Sequence, residues 1–320
     1  MSIKLFGSMM IALSATIGIA TLGILFIGSF LGGITLLTAL LLAIILILFQ
    51  WAIAPKIISI TFGLIPAEKA GYRWLVDLVR DLARKAGMKK VPTVYISPSG
   101  MANAFAFGNA ISGKKVAVTR GLLEILNEEE IKAVIGHELG HIRHKDIEIM
   151  MALSVLPAVF YLFARWLYYA GFFGGFYRDE RGSERAVLFI LAMISFIIYI
   201  VLSLFMLWFS RLREYYADQH SAEVVEHGNV KLARALAKLQ YANSMIVRKK
   251  VPEKSVIAFK ALMISDPETS DKIPLGVHDI DDLVYRIAQK KVTLSERLME
   301  LFMTHPLPPK RIRRLLSLSS

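Results

Sequence analysis

The chain of 320 residues contains no cysteine. Disulfides, thiolate metal ligands and a cysteine nucleophile are thereby excluded, although nothing follows about compartment. Charge is missing over a long stretch, since Leu5 to Ala54 holds no Asp, Glu, Lys or Arg. These roughly fifty residues suffice for two crossings of a hydrocarbon core that takes ~20 residues each. There is no internal repeat, no low-complexity tract outside the apolar runs, and no Asp-Gly pair. Nor does a nucleic-acid motif accompany the net charge of +12, whose clusters (Lys89-Lys90, Lys114-Lys115, Lys249-Lys250, Lys310 to Arg314) are short and scattered. The basic excess therefore points to anionic lipid headgroups, with no nucleic-acid partner.

What is present is hydrocarbon, at 55% of residues, more than an ordinary soluble domain carries. The uncharged N-terminal run is too long for a cleaved signal peptide and reads as a retained hairpin turning at Ser29, Gly32 and Gly33. Ile149–Ala164 is a third span, continuing through Arg165 into Trp166-Leu167-Tyr168-Tyr169, and Ala186–Phe209 is a fourth. Arg165, beside Trp and Tyr near a span end, reads as snorkelling into the interface. With four spans, the polar segments 57–147 and 211–320 share one side with the amino terminus. Lys4, Lys56, Arg143, Lys145, Arg211 and Arg213 flank the spans there; the other side offers Arg178, Arg181 and Arg185 beside Asp179, Glu180 and Glu184. The excess of basic flanks predicts a multi-pass protein of the plasma membrane with its polar domain in the cytoplasm.

Against that membrane stands Gly136-His137-Glu138-Leu139-Gly140-His141. Asn127 with Glu130 three residues on is a capping box, and Glu128 to Glu130 suit the positive end of a helix dipole. On the helix that follows, His137 and His141 are four residues apart, so both imidazoles leave the same face and can grip one ion. Two imidazoles plus an oxygen ligand favour one Zn2+ per chain. Glu138, one residue round from His137, is placed to take a proton without being a ligand.

The third ligand must come from elsewhere. His144 shares the helix side, but a trio on one straight helix crowds one side of a tetrahedral ion. The metzincin pattern, moreover, asks for Gly at 144 and His at 147, where this chain has His144 and Ile147. His144 is read as lying behind the ligands or facing headgroups. The run Ser210 to Asp218 after the fourth span sets Arg211, Glu214 and Asp218 on one helical face. A Glu214 ligand, with Asp218 receiving a ligand histidine's N–H and Arg211 holding the carboxylates, is an arrangement such sites use; a solvated Arg–Glu–Asp ladder is the plainer alternative. Topology adds a check. His141 precedes the third span and Glu214 follows the fourth, so two crossings return the chain to its starting side, whereas one would leave ~30 Å of hydrocarbon between the ligands.

At this point His137 to His141, followed by Arg213-Glu214-Tyr215-Tyr216-Ala217-Asp218, resembles the HtpX branch of membrane zinc endopeptidases, related to the CAAX prenyl endopeptidases. The likeness covers most of the chain. Ala102 to Gly108 followed by Lys115 to Thr119 is similar to the family's strand pair ahead of the metal helix, and His305-Pro306 with Arg311 to its C-terminal motif. The resemblance implies that His137, His141 and Glu214 bind zinc, that Glu138 is the catalytic base and that Asp218 supports a ligand. It also makes His305 and Arg311 the first candidates for the oxyanion donor, with Tyr215 behind them. The implied fold is an α-helical integral membrane protein of four spans with a cytoplasmic α+β zincin-like (gluzincin) catalytic domain.

The expected divisions are 1–60 (N-terminal hairpin), 61–148 (edge strand and metal helix), 149–209 (second hairpin) and 210–320 (third ligand and C-terminal helices). Asn103, Ala104, Phe105, Ala106 and Phe107 alternate large and small as a strand, whose exposed edge would pair with an extended substrate; alternatively the rings fill the core. Extended-chain capture suits membrane-protein or unfolded polypeptide substrates, and the resemblance implies protein quality control under stress. The stretch Glu268–Met303 is longer than the resemblance leads one to expect, and its amphipathic second half reads as a helix covering the cleft. Rival readings are weaker. An intramembrane site-2-type protease would hold the motif inside an apolar span, and a transporter would carry ionisable groups at the membrane midplane. A metal-binding membrane adaptor without protease activity would not need Glu138.

Overall fold

The computed structural model describes residues 36–173, 182–248 and 279–318. The first expected span, its Ser29–Gly33 turn, the loop charges Arg178 to Arg181 and the 268–278 part of the long C-terminal stretch lie outside the described residues. The chain forms two compact units, Met1–Ile53 with Glu148–Phe209 and Ala54–Ile147 with Ser210–Ser320.

Three helices supply the first unit: α1 (Leu36–Thr61), α5 (Asp146–Phe173) and α6 (Gly182–Val224), each of which also extends into the second. They are apolar on nearly every side. Leu156, Phe160, Leu167, Leu191, Ala192 and Leu202 form a small core, while Ile190, Met193 and Ile197 remain exposed. The hydroxyls of Ser195 and Ser203 donate back to the carbonyls of Leu191 and Tyr199, each at 2.8 Å, which satisfies them within the helix. Among the described residues one helix, Arg185–Val224, is long and apolar enough to cross a membrane. Four spans are not shown.

The second unit holds a four-stranded mixed sheet of β1 (Ile65–Pro66), β2 (Thr93–Ser97), β3 (Ala104–Asn109) and β4 (Gly113–Thr119), in the order β1-β2-β4-β3. β2 and β4 run parallel, with Thr93 opposite Lys115 and Ser97 opposite Thr119. β3 and β4 form a hairpin, with Ala104 opposite Val118 and Asn109 opposite Gly113. Its corner requires Gly108, whose φ is +115° and where a Cβ would lie 2.1 Å from the Gly113 carbonyl oxygen. Around the sheet lie α2 (Arg73–Lys85), α3 (Arg120–Ile125), α4 (Glu128–Arg143), α7 (Gly228–Arg248), α8 (Ile280–Gln289), α9 (Leu294–Glu300) and α10 (Pro308–Ser317). α2 is amphipathic and buries Leu75, Val79, Leu82 and Ala83 against β2 and α4. α4, α8 and α10 pack on α7.

Two expectations change here. β3 is the terminal strand of the sheet, but it is not exposed: all six of its residues are buried. Phe105 and Phe107 sit in an aromatic cluster, 4.8 Å from Phe62 and 6.0 Å from Tyr95 between ring centres, because alternation turns both rings to one face. The other face carries only Ala104 and Ala106, and that leaves room for α4 to approach β3. The amphipathic C-terminal stretch, in turn, is two helices. α8 buries Leu283, Val284, Ile287 and Ala288, whereas α9 buries only Glu300 and leaves Leu294, Leu298 and Met299 exposed.

Candidate active site

α4 begins as its sequence indicates. The Asn127 side chain accepts from the Glu130 N–H at 2.9 Å and Glu130 Oε2 accepts from the Asn127 N–H at 3.0 Å, a complete capping box that stabilises the helix by about 1 kcal/mol. Lys238 of α7 pairs with the buried Glu130 at 2.7 Å, tying this end down. Further along, Gly136 and Gly140 explain the close crossing of α4 and α6. A Cβ on Gly140 would come within 3.0 Å of Ala217 Cα and 3.1 Å of His220 Cβ, and one on Gly136 within 3.0 Å of Val225. At that crossing the Ser221 hydroxyl donates to the Ala133 carbonyl (2.7 Å), and His220 Nδ1 lies 3.0 Å from the Gly136 carbonyl oxygen.

The crossing brings His137, His141 and Glu214 together. His137 Nε2 and His141 Nε2 are 3.2 Å apart, His141 Nε2 is 3.4 Å from Glu214 Oε1, and His137 Nε2 is 3.6 Å from Glu214 Oε2. A tetrahedral ion with bonds of ~2.0–2.1 Å has ligand–ligand edges of ~3.3–3.4 Å, so the three donors fit zinc. This is the one group of three metal-capable side chains among the described residues.

Each imidazole is oriented from behind. His137 Nδ1 lies 2.9 Å from Asp218 Oδ1, and His141 Nδ1 lies 2.8 Å from Asp146 Oδ2. A carboxylate at Nδ1 holds a proton there and aims Nε2 at the metal position. Sequence reasoning found Asp218 but missed Asp146. That residue starts α5, just after Lys145, which adopts a φ of +58° between the two helices. Burial and the nearby Arg311 lower His137 to a pKa of about 4, so it is neutral and ready for metal. For His141 burial acts downward too, but the hydrogen bonds and charges of Asp146 and Glu214 outweigh it and raise the group to about 10. Burial alone would raise Glu214; the neighbouring His305 and Arg311 and a bond from His141 hold it well below the usual carboxylate range.

The arginine that holds the carboxylates is Arg311 of α10. Its Nε and Nη2 meet Asp218 Oδ2 and Oδ1 at 2.8 and 2.7 Å, and Nη1 meets Glu214 Oε2 at 2.8 Å. Its guanidinium nitrogens are thus all engaged with these two carboxylates, and Nη2 also lies 3.2 Å from His137 Nε2. Arg211 does not take the role its helical offset suggested. It turns to the end of α9, donating from Nη1 to the carbonyls of Glu300, Leu301 and Met303. His305 is buried at the metal side, with Nδ1 3.1 Å from Glu214 Oε2. Tyr215 lies under the Arg314 guanidinium, 4.5 Å from ring centre to cation. His144, the C-cap of α4, is buried among Tyr216 and His220, apart from the metal group.

Glu138 is buried, and burial raises its pKa to about 7 against the opposing charge of His141. It also accepts a hydrogen bond from the Ala106 backbone, which places the carboxylate between the metal donors and β3. Of the strand residues expected to meet substrate, Ala106 thus reaches the site through its backbone. Phe105 and Phe107 point into the aromatic cluster, and Asn103 holds the strand's start through Thr119, whose hydroxyl accepts from the Asn103 N–H at 2.8 Å.

Comparison with known proteins agrees with this geometry. Residues 69–319 match peptidase family M48. The chain is 34% identical to protease HtpX homolog 2 of Saccharolobus solfataricus, over 94% of both chains. It is 39% identical to an HtpX homolog of Aeropyrum pernix over 88% of this chain and 85% of that one. A third HtpX homolog, from Picrophilus torridus, is 37% identical over 95% and 94%. Among solved structures, S. mikatae Ste24p is similar with a TM-score of 0.54 at 19% identity, covering 98% of this chain and 67% of that one, a likeness of fold alone.

Proposed function

The chain belongs to peptidase family M48 as an HtpX homologue with a zinc metallopeptidase site, and from that premise we propose that it is a membrane-anchored endopeptidase. It cleaves misfolded or damaged membrane proteins at the cytoplasmic face of the plasma membrane. The apolar runs support four spans, two within Leu5–Ala54 and one each at Ile149–Ala164 and Ala186–Phe209. The basic residues flanking them support the cytoplasmic side. The lipid bilayer and unfolded polypeptides are then its partners.

His137, His141 and Glu214 would hold the ion, which when bound would supply Lewis acidity to water and to the peptide carbonyl. Glu138 takes the proton of the attacking water and hands it to the leaving amine. His305, beside the ligand carboxylate, is placed to donate to the developing oxyanion. Arg311, Asp218 and Asp146 fix the ligands without touching substrate. The outer edge of β3 next to Glu138 has no strand partner among the described residues, so an extended chain can add there through backbone hydrogen bonds, with little demand on sequence. Such pairing requires whatever covers the buried strand to move aside.

The single observation that carries this reading is the buried Glu138 carboxylate held by the Ala106 backbone beside three donors at tetrahedral spacing. The test is hydrolysis of an unfolded protein by the zinc-loaded, detergent-purified chain beside its Glu138→Gln variant. Losing the base should cost about 10²–10⁴ in rate with zinc retained. Equal rates in the two would defeat the mechanism. Stoichiometric zinc with no activity in either would favour the adaptor.

A further inference from the structure

One apolar surface lies outside the peptidase site. α9 and the residues after it expose Leu294, Leu298, Met299, Leu301 and Phe302, from 48% to 74% of each side chain in the open. Phe302, at 70%, is as open as a ring on a water-soluble surface rarely is. We propose that Leu298, Met299, Leu301 and Phe302 dock into the headgroup–acyl boundary of the bilayer that holds the Ala186–Phe209 span.

Arg211 links this surface to the span. It is the second residue after Phe209 on the continuous helix α6, and so ~3 Å along the axis beyond the apolar run. One guanidinium nitrogen of that side chain holds the carbonyls of Glu300 (2.7 Å), Leu301 (3.2 Å) and Met303 (2.7 Å). The open end of α9 is therefore capped from a point at the very edge of the hydrocarbon. An exposed Leu-Met-Leu-Phe cluster held one side-chain length from that edge has acyl chains as its nearest apolar solvent. Interfacial helices reach ~5–10 Å into this boundary with their apolar residues flanked by basic ones. The flanks here match. Lys291 and Arg297 are exposed, and the intervening acids are internally engaged, Glu296 with Lys290 at 2.7 Å and Glu300 with Lys310. The local charge thus suits anionic lipid.

The same segment leads on to the site. Glu300 Oε1 accepts from the Leu307 N–H at 3.1 Å, and His305 and Arg311 follow on either side. A bilayer contact at 298–302 thus anchors the stretch that carries both.

Because the inference rests on the reading of Ala186–Phe209 as a span, the experiment reads the two separately. The cysteine-free chain accepts single cysteines at will. Leu298→Cys, Phe302→Cys, Ile197→Cys and Glu128→Cys would each be labelled with an environment-sensitive dye and placed singly in nanodiscs of mixed anionic and zwitterionic phospholipid. Lipid-borne nitroxide quenchers sit either at headgroup level or mid-chain. We expect loss of fluorescence to the headgroup-level quencher at 298 and 302, to the mid-chain quencher at 197, and to neither at 128, with the 302 loss deepening as anionic lipid increases. Quenching at 197 without quenching at 298 and 302 would overturn the docking and leave the span standing. No quenching at any position would overturn both. A protected dye at 302 that appears only with two copies per disc would assign the surface to a second chain and also overturn the proposal.

Discussion

The two units of this molecule invert one another. Around the metal site the chain hides its charges: Glu130, His137, Glu138, Asp146, Arg213, Glu214, Asp218 and Arg311 are all buried. The helical unit does the opposite, leaving Ile190, Met193 and Ile197 open at 52%, 63% and 54%. A soluble protein tolerates neither pattern cheaply. Buried charge requires a matching partner at hydrogen-bond distance, and exposed hydrocarbon requires a solvent that is itself hydrocarbon. The metal-site unit pairs its buried charges and the helical unit leaves its hydrocarbon open, and substitutions can tell the two apart.

The strongest test of the paired-charge side is Arg311→Met. Its guanidinium spans Asp218 and Glu214, and losing it leaves two buried carboxylates without their shared counter-charge. We expect the zinc-free protein to lose about 3–5 kcal/mol of stability, read from denaturant unfolding in detergent. Arg311→Lys should recover little, since a point charge cannot replace the planar fork. Unchanged stability in Arg311→Met would mean that the two carboxylates share a proton instead.

That clamp also marks the limit of what the sequence discloses. His137 and His141 are legible because i,i+4 spacing alone puts them on one helix face, and Asp218 stands on the face of Glu214 for the same reason. Glu214 was reached through the offsets it shares with Arg211 and Asp218, with the parity of the expected crossings as a check and the family resemblance beside it. Arg211 was misread since local spacing is blind to partners across the fold. It lies three residues before Glu214, yet its own partners are carbonyls at 300 to 303, while the arginine that serves Glu214 and Asp218 comes from position 311. The strand alternation at 104–107 was visible, but not that both rings would meet Phe62 and Tyr95 and be buried. Two pairings that only the tertiary fold supplies account for both misses.

Glu138 is the exception to the pairing rule, and its effect on stability runs the other way. Its pKa stands at about 7 in the folded chain, mainly through burial, against 4.5 as the ordinary value. A raised carboxylate pKa favours the fold while the group is protonated. That contribution is complete below pH 4.5 and is lost as the pH rises through 7, at a cost of about 3 kcal/mol. Metal-free Glu138→Gln should therefore be more stable than the parent at pH 8 by a similar amount, and equal to it at pH 4. A constant gap at both pH values would remove ionisation as its cause. The base is thus retained at some expense in stability.

On the hydrocarbon side, Ile197→Lys should cost about 2.5–3.5 kcal/mol in a membrane-insertion assay. Glu128→Lys, at a position equally exposed but in water, should shift stability by no more than ~0.5 kcal/mol. If Ile197→Lys inserts as well as the parent, that face borders water and the inversion of the two units fails.

The smallest effect probes Asp146, the site residue that no periodicity revealed. It reaches His141 across the break between α4 and α5, where Lys145 takes a left-handed φ without being glycine, so neither helix spacing nor turn composition announces it. In the metal-free protein Asp146 and Glu214 keep His141 protonated up to about pH 10, which means that zinc must displace that proton. Titration of zinc at pH 8 in buffers of different ionisation enthalpy should show close to one proton released per ion. Asp146→Asn keeps a hydrogen-bond acceptor but removes the charge. Zinc affinity should fall about 10–100-fold, and fewer protons should be released, because His141 is then partly neutral beforehand. A loss of affinity with the proton count unchanged would reduce Asp146 to a residue that merely starts a helix. Both changes together would show that the helix break at Lys145 brings a charge, and not only a hydrogen-bond acceptor, behind the second imidazole.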